Sequence, residues 1–300
     1  MTRAVVFAYH NVGVRCLKVL LARGVDVALV VTHEDNPNEI IWFDSVARTA
    51  ADYGIPAIMP ADANTPELLA RLAAIRPDFL FSFYFRQMLK PALLATATRG
   101  AYNMHGSLLP KYRGRVPINW AVLNGETETG ATLHEMVEKP DAGRIIARQA
   151  VPILPDDTAG EVFDKVVVAA EMCLHGALPG LTLGTAPHLP MDLKAGSYFG
   201  GRKPEDGRID WSKPAQDVHN LVRAVAPPYP GAFCDTPAGH LRVLRTIRAQ
   251  QAPLGNGLFA AGDAIYARCG DGKCLRVLAA ELDGRPLTAR DLDNRPISFG

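Results

Sequence analysis

The sequence predicts an α/β protein: a doubly wound parallel sheet with a second, smaller, mainly-β barrel-like domain at its C-terminal end. Three observations predict it. Short apolar runs alternate with stretches of helical spacing from residue 4 to about residue 176. A Gly- and Pro-rich stretch without helical periodicity follows at 179–196. Beyond it come short strand-like runs with turn residues between them.

Taken in order, AVVFA (4–8) suits a strand buried on both faces. Val14, Leu17, Leu20 and Leu21 then recur at helical spacing, and Gly24 stops that helix. VALVV (27–31) is the next strand, 45–53 a helix with Gly54 behind it, and IPAIM (55–59) another short strand. Thr65 is a cap residue before Pro66 at the first helical position, which marks the start of the helix that carries LLARLAAI (68–75). DFLFSF (78–83) and AYNMH (101–105) are strands four and five. Right-handed crossovers place helices on both faces of such a sheet, and ligands gather at the carboxyl ends of its strands, where AYNMH delivers Asn103 and His105. Thr158 and Glu161 form a capping box that opens a helix running to about Gly176.

The Gly- and Pro-rich stretch leads to the second domain, so the expected boundaries are 1–190 for the first domain, 191–204 for a linker and 205–300 for the OB-like second domain. There a helix over 215–225 precedes strand-like runs within 240–249, 264–270 and 274–282. Arg242, Arg245 and Arg248 could form a phosphate-binding stripe. Strand periodicity instead turns Arg245 to the opposite face from the other two, and the three read as solvated edge charges.

Composition narrows the partners. Lys plus Arg (32) nearly balances Asp plus Glu (31), so a net charge of +1 announces neither a nucleic acid nor a membrane surface and favours a small-molecule substrate. The opening MTRAVVFAYHNVG carries one basic residue and an apolar run too short for a signal or a span, so a cytoplasmic protein with no membrane insertion is expected. Cys16, Cys173, Cys234, Cys269 and Cys274 are odd in number and scattered, which favours reduced thiols; no metal is expected.

The most informative segment is NMHGSLLPKYRGRVP (103–117), followed by DAG at 141–143. An amide, an imidazole two residues on and a distant carboxylate can hold a carbonyl, move a proton and tune the group that moves it. This points to acyl-type transfer by Asn103, His105 and Asp141. Singly, each has an ordinary structural reading as a cap, a core histidine or a turn.

FAYHNVG (7–13), FSFYFRQML (81–89), 103–130, MVEKPDAG (136–143), FGGRKPEDGRIDW (199–211) and VRAVAPPYPGAF (222–233) together resemble the folate-dependent formyltransferases, over nearly the whole chain. HGSLLPKYRGR and INWAVLNGETETG draw the resemblance toward the branch that acts on UDP-4-amino-4-deoxy-L-arabinose in lipid A modification and polymyxin resistance. The resemblance implies a Rossmann-like catalytic domain, 10-formyltetrahydrofolate as co-substrate and a UDP-amino sugar as acceptor. It assigns catalysis to Asn103, His105 and Asp141. The pterin would be gripped by main-chain groups at Gln87, Met88 and Leu89, by Arg115, and by Val137, Glu138, Lys139, Pro140 and Asp141. Lys111, Arg113 and the FGGRKPEDG segment are candidates for the UDP phosphates. YHNVG holds only Gly13 and lacks G-x-G-x-x-G, so the sheet is not expected to bind a dinucleotide; this loop would approach the acceptor's nucleotide. Relatives are often fused to a dehydrogenase; if the chain ends at Gly300, formyl transfer alone is expected. Methionyl-tRNA formyltransferase shares the SLLP core and is the second reading, and a non-catalytic folate or nucleotide sensor the third. The oligomeric state is not legible.

Overall fold

The computed structural model describes residues 2–249, 253–293 and 295–299; Met1 and Gly300, the outer limits of the expected domains, lie outside them. Strand β1 (Arg3–Ala8) leads through α1 (His10–Ala22) to β2 (Asp26–Val31), α2 (Val46–Asp52), β3 (Ala57–Ile58), α3 (Pro66–Ile75), β4 (Phe79–Phe83), α4 (Pro91–Leu94) and β5 (Gly100–His105). Next come β6 (Arg113–Gly114), α5 (Pro117–Leu123), β7 (Glu128–Glu135), β8 (Ile145–Pro152), α6 (Ala159–Leu183) and β9 (Tyr198–Phe199). The chain divides into two compact units. One comprises residues 1–117, 129–151 and 164–199; the other comprises 118–128, 152–163 and 200–300.

In the first unit the sheet order is β3-β2-β1-β4-β5-β7-β8. Its first five strands are parallel, as the alternation of strand and helix signals implies. All five residues of β4 are buried, as are the last five of β1, which is why these segments read as unbroken apolar runs. Each fully buried Phe or Leu there contributes about 1.5–3 kcal/mol. Ser45 and Thr65 accept hydrogen bonds from Arg48 N–H and Leu68 N–H, fixing the starts of α2 and α3. YHNVG is not a loop: α1 begins two residues after β1 ends, and a side chain at Gly13 would press on Val46 and Ala8.

Two features depart from expectation. Strand β7 joins β5 antiparallel, so the sheet is mixed at that edge. Helix α6 does not stop near Gly176 but continues through Pro179 to Leu183. A proline there leaves the His175 carbonyl without its helical donor, and Arg23 Nη2 supplies one at 3.2 Å. The capping box at its start is as expected, with Thr158 N–H donating to Glu161 Oε2 and Glu161 N–H to Thr158 Oγ1. By length and composition α6 could cross a membrane, but its buried residues, Val162, Val166, Ala169, Ala170 and Leu174 among them, recur as the stripe of a core helix.

The second unit holds α7 (Ala215–Val225), β10 (Ala232–Thr236), β11 (Gly239–Arg248), β12 (Leu258–Ala261), β13 (Ala264–Arg268), β14 (Cys274–Leu282) and β15 (Arg285–Pro286). Its antiparallel sheet runs β10-β11-β14-β13-β12, with β15 beside β14, around a core that includes Trp211, Val218, Val222, Leu241, Val243 and Leu275. Register shifts on either side of Arg245 in the β11–β14 ladder reset the alternation, so the buried positions are Leu241, Val243 and then Thr246. Arg245 thus does not oppose Arg242, as strict periodicity implied. Arg242 pairs with Glu281 at 3.6 Å, Arg245 with Glu161 at 3.0 Å, and Arg248 donates to Gln216 at 3.0 Å. All three arginines have partners, and Arg242 lies within the sheet, opposite Phe233 on β10 and Glu281 on β14. The five cysteines are buried and free.

Four histidines bear on acid stability. Burial lowers the pKa of His10, His33, His105 and His219, with Arg86 adding to the effect at His10, which falls to about 3. Each binds a proton in the unfolded chain below about pH 6.5 that the folded chain refuses. Stability is therefore expected to be complete above that pH and to decline as pH falls from about 6.5 toward 3. Denaturant midpoints measured across this range should show the slope, and His10→Phe should flatten it; an identical slope in the variant would remove His10 from the account.

Candidate active site

The site is built at the carboxyl end of β5, where alternation puts Asn103 and His105 on one side of the strand. Antiparallel β7 sets His134 opposite Asn103 and Thr132 opposite His105. The loop after β5 is tied to that neighbour. Thr132 Oγ1 donates to Ser107 O at 2.6 Å and accepts from Leu109 N–H at 3.1 Å, while Ser107 Oγ donates to Lys111 O at 2.7 Å. The loop's far end pairs β6 with β9, and Gly114 is required there because a side chain would overlap the Phe199 carbonyl.

Asp141 enters from the β7–β8 connection in a left-handed conformation (φ 49°). Gly143, two residues on, lies so close to the Glu135 carbonyl that no side chain fits, which accounts for the glycine of the Asp-Ala-Gly motif. The Asp141 Oδ1 atom lies 3.6 Å from His105 Nδ1 and 3.5 Å from His134 Nε2, and Oδ2 accepts from Gly114 N–H at 2.9 Å. Burial pushes this carboxyl up, but His105 and His134 when they carry a proton, together with the Gly114 N–H, outweigh it and hold the pKa well below the ordinary carboxylate range.

Acceptors fix the proton positions. His105 Nε2 lies 2.8 Å from Tyr112 O, so it carries a hydrogen, and the lone pair of the neutral ring is on Nδ1, facing Asp141. Burial lowers the His105 pKa most, with Asp141 and the Tyr112 carbonyl raising it and His134 lowering it; the result lies below the ordinary value. His134 Nδ1 meets Glu135 O at 2.8 Å, which leaves its Nε2 to accept from the Asn103 amide at 3.1 Å. One amide hydrogen of Asn103 is thereby used. The arrangement offers a buried base, a neighbouring anion for its protonated form and an oriented amide donor. That set can stabilise a tetrahedral oxyanion while a proton moves.

The structure brings Asn103, His105 and Asp141 together and adds His134, which the sequence reading did not single out. Only the β5–β7 register reveals it. For the remaining positions the outcome is mixed. Gln87 is occupied through its side chain, which accepts from Ala63 N–H and donates to Ala61 O, so side-chain identity does matter there. The Met88 carbonyl accepts from Asn64 Nδ2, and Leu89 is buried in the same apolar cluster that Met136 packs against. Met88 (55% exposed) and Val137 (41%) present apolar surface, Glu138 and Lys139 are exposed, and Pro140 is half-buried. Arg115 is exposed beside Gly114, and Lys111 is exposed, whereas Arg113 is buried. In FGGRKPEDG, Arg202 lies over the Trp120 ring at 4.9 Å and donates to Asp206 O, while Lys203 N–H donates to Asp206 Oδ2. Among the described residues no group of three or more His, Cys, Asp or Glu is placed to hold a metal ion.

A family model for formyl transferase matches residues 7–178, and one for the formyl transferase C-terminal domain matches residues 202–296. The chain belongs to the formyl transferase family. Its fold is similar to that of an N-formyltransferase from Helicobacter canadensis in complex with folinic acid and dTDP-3-aminofucose, with a TM-score of 0.74, 21% identity and coverage of 92% of this chain and 99% of that one. WlaRD, a sugar 3N-formyl transferase with dTDP and 5-N-formyl-THF, gives a TM-score of 0.73 at 21% identity over 92% and 97% of the two chains. HypX from Aquifex aeolicus in complex with tetrahydrofolic acid gives 0.66 at 17% identity, over 96% of this chain and 46% of its own. This formyltransferase therefore shares its two-part architecture with relatives of low sequence identity.

His105→Ala and Asn103→Ala are each expected to lower turnover by about two to four orders of magnitude with the fold retained, since each removes a contact made at the reacting centre. Steady-state rates and circular dichroism check this; a folded variant keeping more than about a tenth of the rate would contradict it. Asp141→Asn removes an influence that raises the His105 pKa, so the ascending limb of kcat/KM is expected to move to lower pH as the rate falls. An unmoved limb would make Asp141 a turn residue only.

Proposed function

We propose that this formyltransferase transfers the formyl group of 10-formyltetrahydrofolate to the 4-amino group of a UDP-amino sugar, specifically UDP-4-amino-4-deoxy-L-arabinose, a step the sequence resemblance ties to lipid A modification. The observation that carries the reading is the Asn103, His105, Asp141 and His134 network at the end of β5, set beside the formyl transferase family match. The sugar acceptor is supported by the HGSLLPKYRGR and INWAVLNGETETG segments, and by relatives of similar fold that carry dTDP or a dTDP-amino sugar.

The folate supplies an activated formyl group. The exposed apolar side chains of Met88 and Val137 would meet the faces of a flat pterin, with the Arg115 guanidinium and the backbone of 137–141 to engage its polar edge. Attack of the sugar amine forms a carbon–nitrogen bond and puts negative charge on the former carbonyl oxygen. The second amide hydrogen of Asn103 is the donor for that charge, because His134 already fixes the plane of the amide. His105 Nδ1 accepts the amine proton, and Asp141 stabilises the imidazolium. Collapse breaks the bond to N10, and the proton passes to that nitrogen, giving tetrahydrofolate and a formamido sugar.

The test is incubation with 10-formyltetrahydrofolate and a panel of UDP- and dTDP-amino sugars, read as a mass gain of one formyl group. UDP-4-amino-4-deoxy-L-arabinose is expected to be the preferred acceptor, with a shallow salt dependence because only two phosphates are met. A tRNA acceptor making six or more phosphate contacts would instead lose about a thousandfold in affinity between low and moderate salt. Formylation of initiator methionyl-tRNA with that steep slope, and none of the sugar, would replace this reading with the tRNA one.

A further inference from the structure

Among the described residues, two arginines are more than nine-tenths buried, Arg113 and Arg223. Their surroundings differ. Arg223 is surrounded by acceptors: Asn220 Oδ1 takes two of its hydrogen bonds, and the carbonyls of Leu154 and Asp157 lie within reach of the guanidinium. Arg113 has none of this. Its Nε is sealed from solvent without a hydrogen-bond partner among the described residues, and its guanidinium lies over the Tyr198 ring at 5.9 Å. A guanidinium nitrogen closed off from water without an acceptor is unfavourable, and one ring face at that distance does not replace the missing hydrogen bond.

The backbone around it is rigidly built. Arg113 N–H donates to Ser197 O at 3.0 Å, Arg115 N–H to Phe199 O at 3.0 Å, and Tyr112 N–H to Ser197 Oγ at 2.9 Å. Gly196 has no room for a side chain beside the Pro110 carbonyl. The neighbours of Arg113 are the two groups that hold the catalytic pair, the Tyr112 carbonyl on His105 and the Gly114 N–H on Asp141. A side chain placed this carefully and left uncompensated is a socket awaiting charge.

We propose that Arg113 is the oxyanion socket of the acceptor, its planar fork taking a phosphate of the nucleotide diphosphate as two parallel hydrogen bonds, with Tyr198 as the wall behind it. This rests on the nucleotide-sugar reading above. Phosphate suits the site because the fork matches two oxygens of one phosphorus and the guanidinium stays charged when buried. A carboxylate of the folate tail has the same chemistry, and the measurement distinguishes the two.

Wild-type protein, Arg113→Met and Arg113→Lys are compared by calorimetry with UDP and with 5-formyltetrahydrofolate, and by steady-state KM for each substrate; melting curves establish folding. Arg113→Met is expected to weaken UDP binding by about a hundredfold, as the loss of a charge-assisted pair implies, with folate binding changed by less than about threefold. Arg113→Lys, which keeps the charge but loses the fork, is expected to recover part of the loss. Unchanged UDP affinity in a folded Arg113→Lys variant would overturn the inference, as would a loss confined to the folate. If wild-type protein binds UDP but formylates no amino sugar, the functional reading fails while the socket stands.

Discussion

Burial alone would drive the Asp141 carboxyl toward its neutral form, and the site depends on preventing that. Three groups oppose the desolvation: the imidazoles of His105 and His134 when protonated, about equally distant from Oδ1, and the Gly114 N–H on Oδ2. Each arrives from a different part of the chain. His105 comes from a parallel strand, His134 from the antiparallel one beside it, and Gly114 from the loop that the β6–β9 pairing holds. The turn carrying Asp141 is itself braced where it leaves and rejoins the sheet. Glu135 takes both Arg144 Nε and Nη2, and His188 Nδ1 lies 2.7 Å from its Oε1. A carboxylate so held keeps its charge at any pH near neutrality, and with it the capacity to favour imidazolium at His105.

Much of this was legible in the sequence, for reasons that are themselves physical. Strands β1 and β4 announced themselves because a strand buried on both faces needs apolar residues at every position, and the starts of α3 and α6 because orphan N–H groups need Thr or Glu at fixed offsets. Asn103, His105 and Asp141 stood out as a set because their residue types match one kind of chemistry. His134 did not, since its role follows from the residue it faces across a ladder, and antiparallel β7 was invisible to a reading built on β-α alternation. Helix α6 outran its expected end because a carbonyl freed by Pro179 found a donor in Arg23, distant in sequence. Arg245 changed faces through a bulge that carries no glycine to mark it.

Strain is distributed unevenly. Of the seven non-glycine positions with positive φ among the described residues, His10 opens α1 just after β1, Tyr84 follows directly on β4, and Tyr112, Val116 and Asp141 belong to the loops that build the site. Val116 is the most telling, because a β-branched side chain in the left-handed region is disfavoured more than most. Each such residue costs of order 1–3 kcal/mol, comparable to what one buried Phe of β4 contributes. The sheet's apolar strands thus offset the conformations that shape the candidate site, which explains why so rigid a core sits under so irregular an edge.

The sequence Tyr-Arg-Gly at 112–114 condenses three features into consecutive residues: a carbonyl that fixes the His105 tautomer, an arginine whose buried Nε has no acceptor among the described residues, and an N–H that holds Asp141. Two of these use the backbone, so they survive side-chain substitution at 112 while remaining sensitive to any shift of the strip. An anion drawn into the Arg113 fork would act on that strip through the Arg113 side chain alone. Affinity for the acceptor and alignment of the base and its carboxylate would then share one piece of main chain, and binding energy gained at the phosphate would be spent holding His105 and Asp141 in register at the moment of transfer.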